Sequence, residues 1–255
     1  MLTQLNRLKQ FYRAFVFAIF LFPFNCTFGQ TRKLKLEISH LKGDFYIFTT
    51  HNFYKGNSIP ANGMYLVTDS GVVMFDTPWD TTQFQPLLDS IKFKHHKEVV
   101  ICIATHSHKD KTAGLEFLKE RGVQTFTTKQ TDEISKRKGE KRAEFLMEKD
   151  TFFSVGQYKF QTYYAGPGHT ADNIVIWFNT DKILYGGCLV KSVEATDLGN
   201  LEEANVNEWV ATIKNIQAKF KNPTFIITGH QSWMSKNSLN HTLKLIKAYK
   251  AKNNT

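Results

Sequence analysis

Glu98-Val99-Val100-Ile101-Cys102-Ile103-Ala104 runs straight into Thr105-His106-Ser107-His108-Lys109-Asp110. The first seven residues are almost wholly apolar and rich in β-branched side chains. That is the pattern of a strand buried on both faces of a sheet. The next six place two histidines two residues apart and an aspartate two further on. In an extended segment side chains alternate with period two, so His106 and His108 point the same way. Two neutral imidazoles on one side chelate a borderline metal such as zinc. The Asp110 carboxylate is placed to ligate the same ion or to orient a water beside it. A small-residue helix start, Thr112-Ala113-Gly114, follows.

On the N-terminal side, Phe45–Phe48, Gly63–Val67 and Val72–Phe75 read as strands punctuated by Gly, Asn and Asp. On the C-terminal side, a short helix at Leu115–Leu118 and a strand at Val123–Phe126 precede a charged helical stretch over 129–144. Strands then resume at Phe152-Phe153, Tyr158–Tyr163, Asn173–Phe178 and Lys182–Tyr185, with Asn179-Thr180-Asp181 turning the last two into a hairpin. Asn205 with Glu208 three residues on resembles a capping box. The helix it opens carries Trp209, Ile213, Ile216 and Phe220 on one face. A strand at Phe225–Ile227 and a closing helix through Leu239, Leu243, Ile246 and Tyr249 finish the chain. Strands followed by helix, twice over, suggest two packed sheets with helices outside.

Three more strand ends carry chemistry. Gly166-Pro167-Gly168-His169-Thr170 puts a histidine in a glycine-rich turn. Gly186-Gly187-Cys188 puts a thiol just past a strand, and Thr228-Gly229-His230 puts a histidine just past another. Sites collect at such positions in sheet proteins. His106, His108 and His169 make an imidazole set, and Asp110, Cys188 and His230 a mixed one. Of the remaining histidines, His95 and His96 lie in a lysine-rich turn and are expected to be solvated. His40 and His51 lack partners at useful spacing, and His241 falls in the closing helix. Cys102, inside the apolar strand, reads as a core thiol.

The chain has 255 residues, 42% hydrophobic and 22% charged, which excludes collagen, low-complexity disorder and a multi-span membrane protein. No repeat or linker divides it. Its 33 Lys+Arg against 23 Asp+Glu give +10, a balance that invites nucleic-acid or surface binding. Part of that charge belongs to the N-terminus. Arg7, Lys9 and Arg13 form a basic region without acids, followed by the apolar run Ala14–Phe24. This is a secretory leader, too short to span a bilayer. Thr27-Phe28-Gly29 favours cleavage before Gln30, whereas Pro23-Phe24-Asn25 makes Cys26 a poor lipidation site. The expected organisation is a signal peptide over 1–29 and one catalytic domain over 30–255. The mature chain then carries 30 Lys+Arg, a charge of +7, and two cysteines, too few for a disulfide scaffold.

The segments 106–110, 166–170, 186–188 and 229–230, with Asp76-Thr77-Pro78-Trp79 after an early strand, resemble the metallo-β-lactamases, subclass B1, in order and spacing. The resemblance covers essentially the whole mature chain. Lys111 stands where relatives of the glyoxalase II and RNase Z types carry a metal-ligating histidine, and Cys188 where they carry a bridging aspartate. Both favour the β-lactamase branch. The resemblance implies a four-layer αβ/βα sandwich and two zinc ions per chain. His106, His108 and His169 would hold the first ion, and Asp110, Cys188 and His230 the second. It further implies periplasmic hydrolysis of the β-lactam amide in penicillins, cephalosporins and carbapenems by a zinc-bound hydroxide. It also implies that no covalent intermediate forms and that antibiotic resistance results. Asp110 would orient the hydroxide, Lys191 pair with the substrate carboxylate, and Asn200 donate to the oxyanion. Asp76 would hydrogen-bond the ligands or their waters, and Lys111 hold Asp110 ionised. Thr49–Asn62 matches a mobile flap, with Phe53 and Tyr54 covering the substrate and Trp79 on the opposite wall. The expected partner is a small β-lactam, with no nucleic acid, no membrane span and a monomeric chain. The competing readings are a lactone or thioester hydrolase on the same scaffold and a basic nucleic-acid-binding protein with a structural zinc.

Overall fold

In the computed structural model, which describes residues 35–54 and 56–253, the apolar run forms an interior strand of a sheet. That sheet has seven strands: β1 (Leu36–Lys42), β2 (Phe45–Tyr54), β3 (Asn57–Thr68), β4 (Gly71–Phe75), β5 (Val99–Ile103), β6 (Gln124–Thr128) and β7 (Phe145–Met147). They lie in sequence order. The first four form an antiparallel meander and the last four pair in parallel. The second sheet has five strands in the order β12-β11-β10-β9-β8. These are β8 (Phe152–Val155), β9 (Tyr158–Tyr163), β10 (Val175–Phe178), β11 (Ile183–Gly187) and β12 (Phe225–Thr228).

Period two sorts the strands into layers. Val73, Phe75 and Ile103 face inward and meet Ile176, Phe178 and Ile227 of the other sheet. Their neighbours Val72, Met74 and Cys102 face outward, under Leu87 and Ile91 of α1 (Phe84–His95) and Leu115 and Leu118 of α3 (Leu115–Lys119). On the far side Val175, Trp177 and Leu184 pack under Trp209, Ile213 and Ile216 of α5 (Val206–Lys219), and Ile246 of α6 (Ser238–Asn253) joins them. The result is helix, sheet, sheet, helix: the four-layer αβ/βα sandwich. Among the described residues no helix is long and apolar enough to cross a membrane. The leader expected over 1–29 lies outside the described residues.

Several elements differ from expectation. Helix α1 went unanticipated, because only Phe84, Leu87 and Ile91 of its twelve residues are buried. Its last residue, His95, is only partly exposed: its Nε2 lies 3.1 Å from the Tyr65 hydroxyl, and its ring packs on Tyr46. The charged helix α4 (Lys129–Lys138) stops well short of 144, because Gly139 takes the left-handed conformation (φ 68°) that caps it. The stretch 49–62 is not a loop between strands but the continuation of β2 and β3, paired out to Tyr54↔Asn57. The Asn205 cap forms as expected, its side chain accepting from the Glu208 N–H at 3.1 Å.

Candidate metal centre

Just past β5, the chain is held by Asp76. One of its carboxylate oxygens accepts the Thr105 N–H at 2.8 Å and the other the Thr105 hydroxyl at 3.1 Å. This anchor turns the backbone so that His106 is buried and His108 ends the extended segment. A short helix, α2 (Lys109–Thr112), begins directly after it and carries Asp110. The loop after β9 brings His169, the end of β11 brings Cys188, and the end of β12 brings His230. Gly229 is required beside that thiol, since a Cβ there would lie 2.5 Å from Cys188 Sγ and 2.6 Å from its backbone N.

All six predicted donors converge. The rings of His106, His108 and His169 stand with centroids 4.9–5.2 Å apart and nearly perpendicular. His108 Nδ1 lies 3.2 Å from His169 Nε2. His106 Nε2 is buried with no hydrogen-bond partner, an orphan that a metal would satisfy. Beside them, Cys188 Sγ lies 3.4 Å from Asp110 Oδ2 and 3.3 Å from His230 Nε2, and the His230 Nε2–Asp110 Oδ2 distance is 3.4 Å. Donors bound tetrahedrally at about 2.0–2.3 Å stand roughly 3.3–3.7 Å apart, so this triangle has the size a zinc ion needs. The two sets adjoin: His106 with His169 and Cys188, and His106 with His108 and Asp110, also lie within 4.8 Å of one another.

The electrostatics suit a cation. Burial, reinforced by neighbouring His108, holds His106 well below the usual imidazole range; burial and Lys191 do the same for His169. Both rings are therefore neutral and able to donate a lone pair. Burial alone would raise the Asp110 carboxyl, but Lys111 Nζ at 3.2 Å and His230 outweigh it and hold it well below the usual carboxylate range. Burial lowers His230, yet the charges of Cys188 and Asp110 outweigh it and push it up to about 10.

The surrounding residues sort less simply. Lys111 is fully buried, reaching Asp110, Asp76 (3.6 Å) and the Asn62 carbonyl (3.2 Å). Asp76 touches none of the six donors. It acts one residue further out, through Thr105 and Lys111, while the Tyr185 hydroxyl donates to it at 2.6 Å. Lys191 is half-buried, its Nζ 5.3 Å from the Trp209 ring centroid; burial lowers its pKa while Cys188 and Asp110 raise it. Asn200 is exposed, its amide oxygen accepting the Glu202 N–H at 3.3 Å, and Gly199 beside it approaches Lys191 Nζ. Trp79 stands 6.5 Å, ring to ring, from His230. Phe53 and Tyr54 sit exposed near the tip of the β2–β3 hairpin, whose Pro60 carbonyl accepts from His230 Nδ1 at 2.6 Å. The flap is thus rooted at the centre and its aromatics stand away from the root.

Sequence reasoning missed three residues. Asn62 donates to the Thr228 and Gln231 carbonyls, joining β3 to the His230 loop. An amide inside the strand run Ala61-Asn62-Gly63 was the available signal, since Asn is depleted in strands. Tyr185 read only as the end of a strand. Glu203, whose Oε2 lies 2.7 Å from His108 Nε2, carried no signal in a loop sequence.

A sequence profile described as the metallo-beta-lactamase superfamily matches residues 59–230. The chain is 42% identical over 245 residues to a metallo-beta-lactamase type 2 of Elizabethkingia meningoseptica, covering 96% of this chain and 98% of that one. It is 40% identical to metallo-beta-lactamase IND-1 of Chryseobacterium indologenes, covering 94% and 99%. Among solved structures, that of metallo-beta-lactamase IND-7 superposes with a TM-score of 0.81 at 40% identity, covering 86% of this chain and all of that one.

Proposed function

The chain belongs to the metallo-beta-lactamase superfamily, and we propose that it is a zinc-dependent β-lactamase of the B1 type, exported to the periplasm. There it opens the amide bond of penicillins, cephalosporins and carbapenems and so confers antibiotic resistance. The observation that carries the reading is the triangle of Asp110, Cys188 and His230 set against the three imidazoles of His106, His108 and His169. Two adjoining triads leave positions open for substrate, unlike a closed four-ligand structural site. All six donors lie within one chain, which fits an enzyme that works as a monomer. The export part rests on the leader at 1–29.

Two zinc ions, when bound, supply a nucleophilic water at neutral pH and stabilise charge at both ends of the breaking bond. The rest falls to the chain itself. The Lys191 ammonium, stationed over Trp209, pairs with the substrate carboxylate and sets the lactam in register. The Asn200 amide donates to the carbonyl oxygen as it gains charge. Asp110, held ionised by Lys111, accepts a hydrogen bond from the attacking water and fixes its direction. Trp79 and the hairpin aromatics Phe53 and Tyr54 close over the apolar part of the substrate. Water attacks directly, so no covalent acyl-enzyme forms.

Hydrolysis of a penicillin, a cephalosporin and a carbapenem by the purified protein tests this. The expected result is turnover that EDTA abolishes and added zinc restores. A zinc-loaded protein that leaves all three intact while cleaving a lactone or a thioester would assign the centre to a different substrate class.

A further inference from the structure

The C-terminal end of α4 reaches the segment 108–110 by two routes. Lys138, the last helical residue, pairs its Nζ with one carboxylate oxygen of Glu203, and the other oxygen of Glu203 meets His108 Nε2 at 2.7 Å. Two residues on, Glu140 pairs with Lys109, the residue between His108 and Asp110, at 3.7 Å. Lys138, Glu203 and His108 are each only partly exposed, with side-chain exposures of 32%, 27% and 19%, so their charges are screened less than those of a surface pair. The helix that carries Lys138 is itself fixed at its first turn. Thr128 caps its start by accepting the Thr131 N–H at 3.1 Å, and Arg142 grips Asp132 through two bonds of 2.7 Å.

From this geometry we propose that Lys138 is a positioning residue for the metal centre. By gripping Glu203 it aims that carboxylate at His108 Nε2, and so leaves His108 Nδ1 as the nitrogen that faces the centre. An imidazole that donates one N–H to a carboxylate presents its other nitrogen as a bare lone pair, in one tautomer and one orientation. Without the lysine, Glu203 hangs on a loop and must be ordered each time a metal binds. Truncating Lys138 costs little packing, because it borders an open cavity of about 210 Å³, lined also by Arg137, Thr170 and Asp172, rather than the core. The proposal rests on the reading of His108 as a metal ligand and gives that site a supporting residue from a helix otherwise without a role.

The test is zinc affinity, measured on the purified protein by competition with a chromophoric chelator, together with the absorption bands of the cobalt(II)-substituted protein. Lys138→Met is expected to weaken one of the two ions by about tenfold and to shift the cobalt bands, as loss of an outer partner does. Lys138→Arg should restore both. In a Glu203→Gln background, Lys138→Met should cost nothing further, since its route to His108 is already cut. Wild-type zinc affinity in Lys138→Met, or losses that add in the double variant, would overturn the proposal alone. So would a Lys138→Met chain that melts far below wild type, since its role would then be structural. A wild-type protein that takes up no zinc would overturn the reading of the site and this proposal with it.

Discussion

Asn62 shows how much one buried side chain can fasten. Its amide donates to Thr228 at 2.9 Å and Gln231 at 2.8 Å, its oxygen accepts from Thr49 at 2.8 Å, and its own carbonyl takes Lys111 Nζ and the Tyr185 hydroxyl. The two sheets are thereby locked where the His230 loop leaves β12. Asn62→Ala keeps the backbone contacts but strands the buried Thr228 carbonyl, at about 1–3 kcal/mol, and takes a partner from the more exposed Gln231 carbonyl and Thr49 hydroxyl, which water reaches at smaller cost. Urea unfolding is expected to show a loss of about 2–4 kcal/mol, with weaker zinc binding at the Asp110–Cys188–His230 triangle. Unchanged stability would mean that water replaces the amide at no cost. At this scale the donors were legible, because metal chemistry draws on few residue types and each stood at a strand end. Asn62 and Glu203 were not, because their partners lie 166 and 95 residues away. Asp76, expected to bond the ligands or their waters, meets no ligand directly and shapes the turn that presents them.

Among elements, β5 was readable because both its faces are covered and nearly every residue had to be apolar. Helix α5 was readable from its apolar face and its Asn205 cap. Helix α1 was not: it buries one residue per turn, Phe84, Leu87 and Ile91, and a proline, polar residues and an exposed phenylalanine break up the pattern between them. Its C-terminal His95 looked solvated in sequence, yet tertiary packing against Tyr46 and Tyr65 claims it. In α4 the charge pattern continued past the helix end, and only the left-handed Gly139 marked the stop. Over the flap stretch Asn52, Gly56 and Asn57 gave no strand signal, yet backbone pairing carries β2 and β3 nearly to the tip. In each case local composition lost to contacts made elsewhere in the fold.

For the whole molecule, the layers follow from period-two alternation, while the way two sheets meet to bring four strand ends together came from family resemblance. The centre also shapes the stability of the fold against pH. His106 and His169 are held below the ordinary value of 6.5, so the unfolded chain takes up protons on them first as pH falls through 6.5. Their contribution is whole above that value and is lost on the acid side. His230, raised to about 10, runs the other way: its contribution is whole below 6.5 and drains as pH rises through 10. Thermal melts of EDTA-treated protein should therefore peak near neutral pH and fall on both sides; a profile still climbing into alkaline pH would contradict the charge pattern of the triangle. The central claim, that two adjoining triads form one two-zinc hydrolytic centre, meets its most direct test in metal content. Zinc per chain should be measured alongside carbapenem turnover for the wild type and for Cys188→Ala. The account predicts two zinc ions in the wild type, one in the variant, and turnover that falls with the lost ion. A wild type with a single zinc and full turnover, or a variant that keeps both ions and full activity, would contradict it.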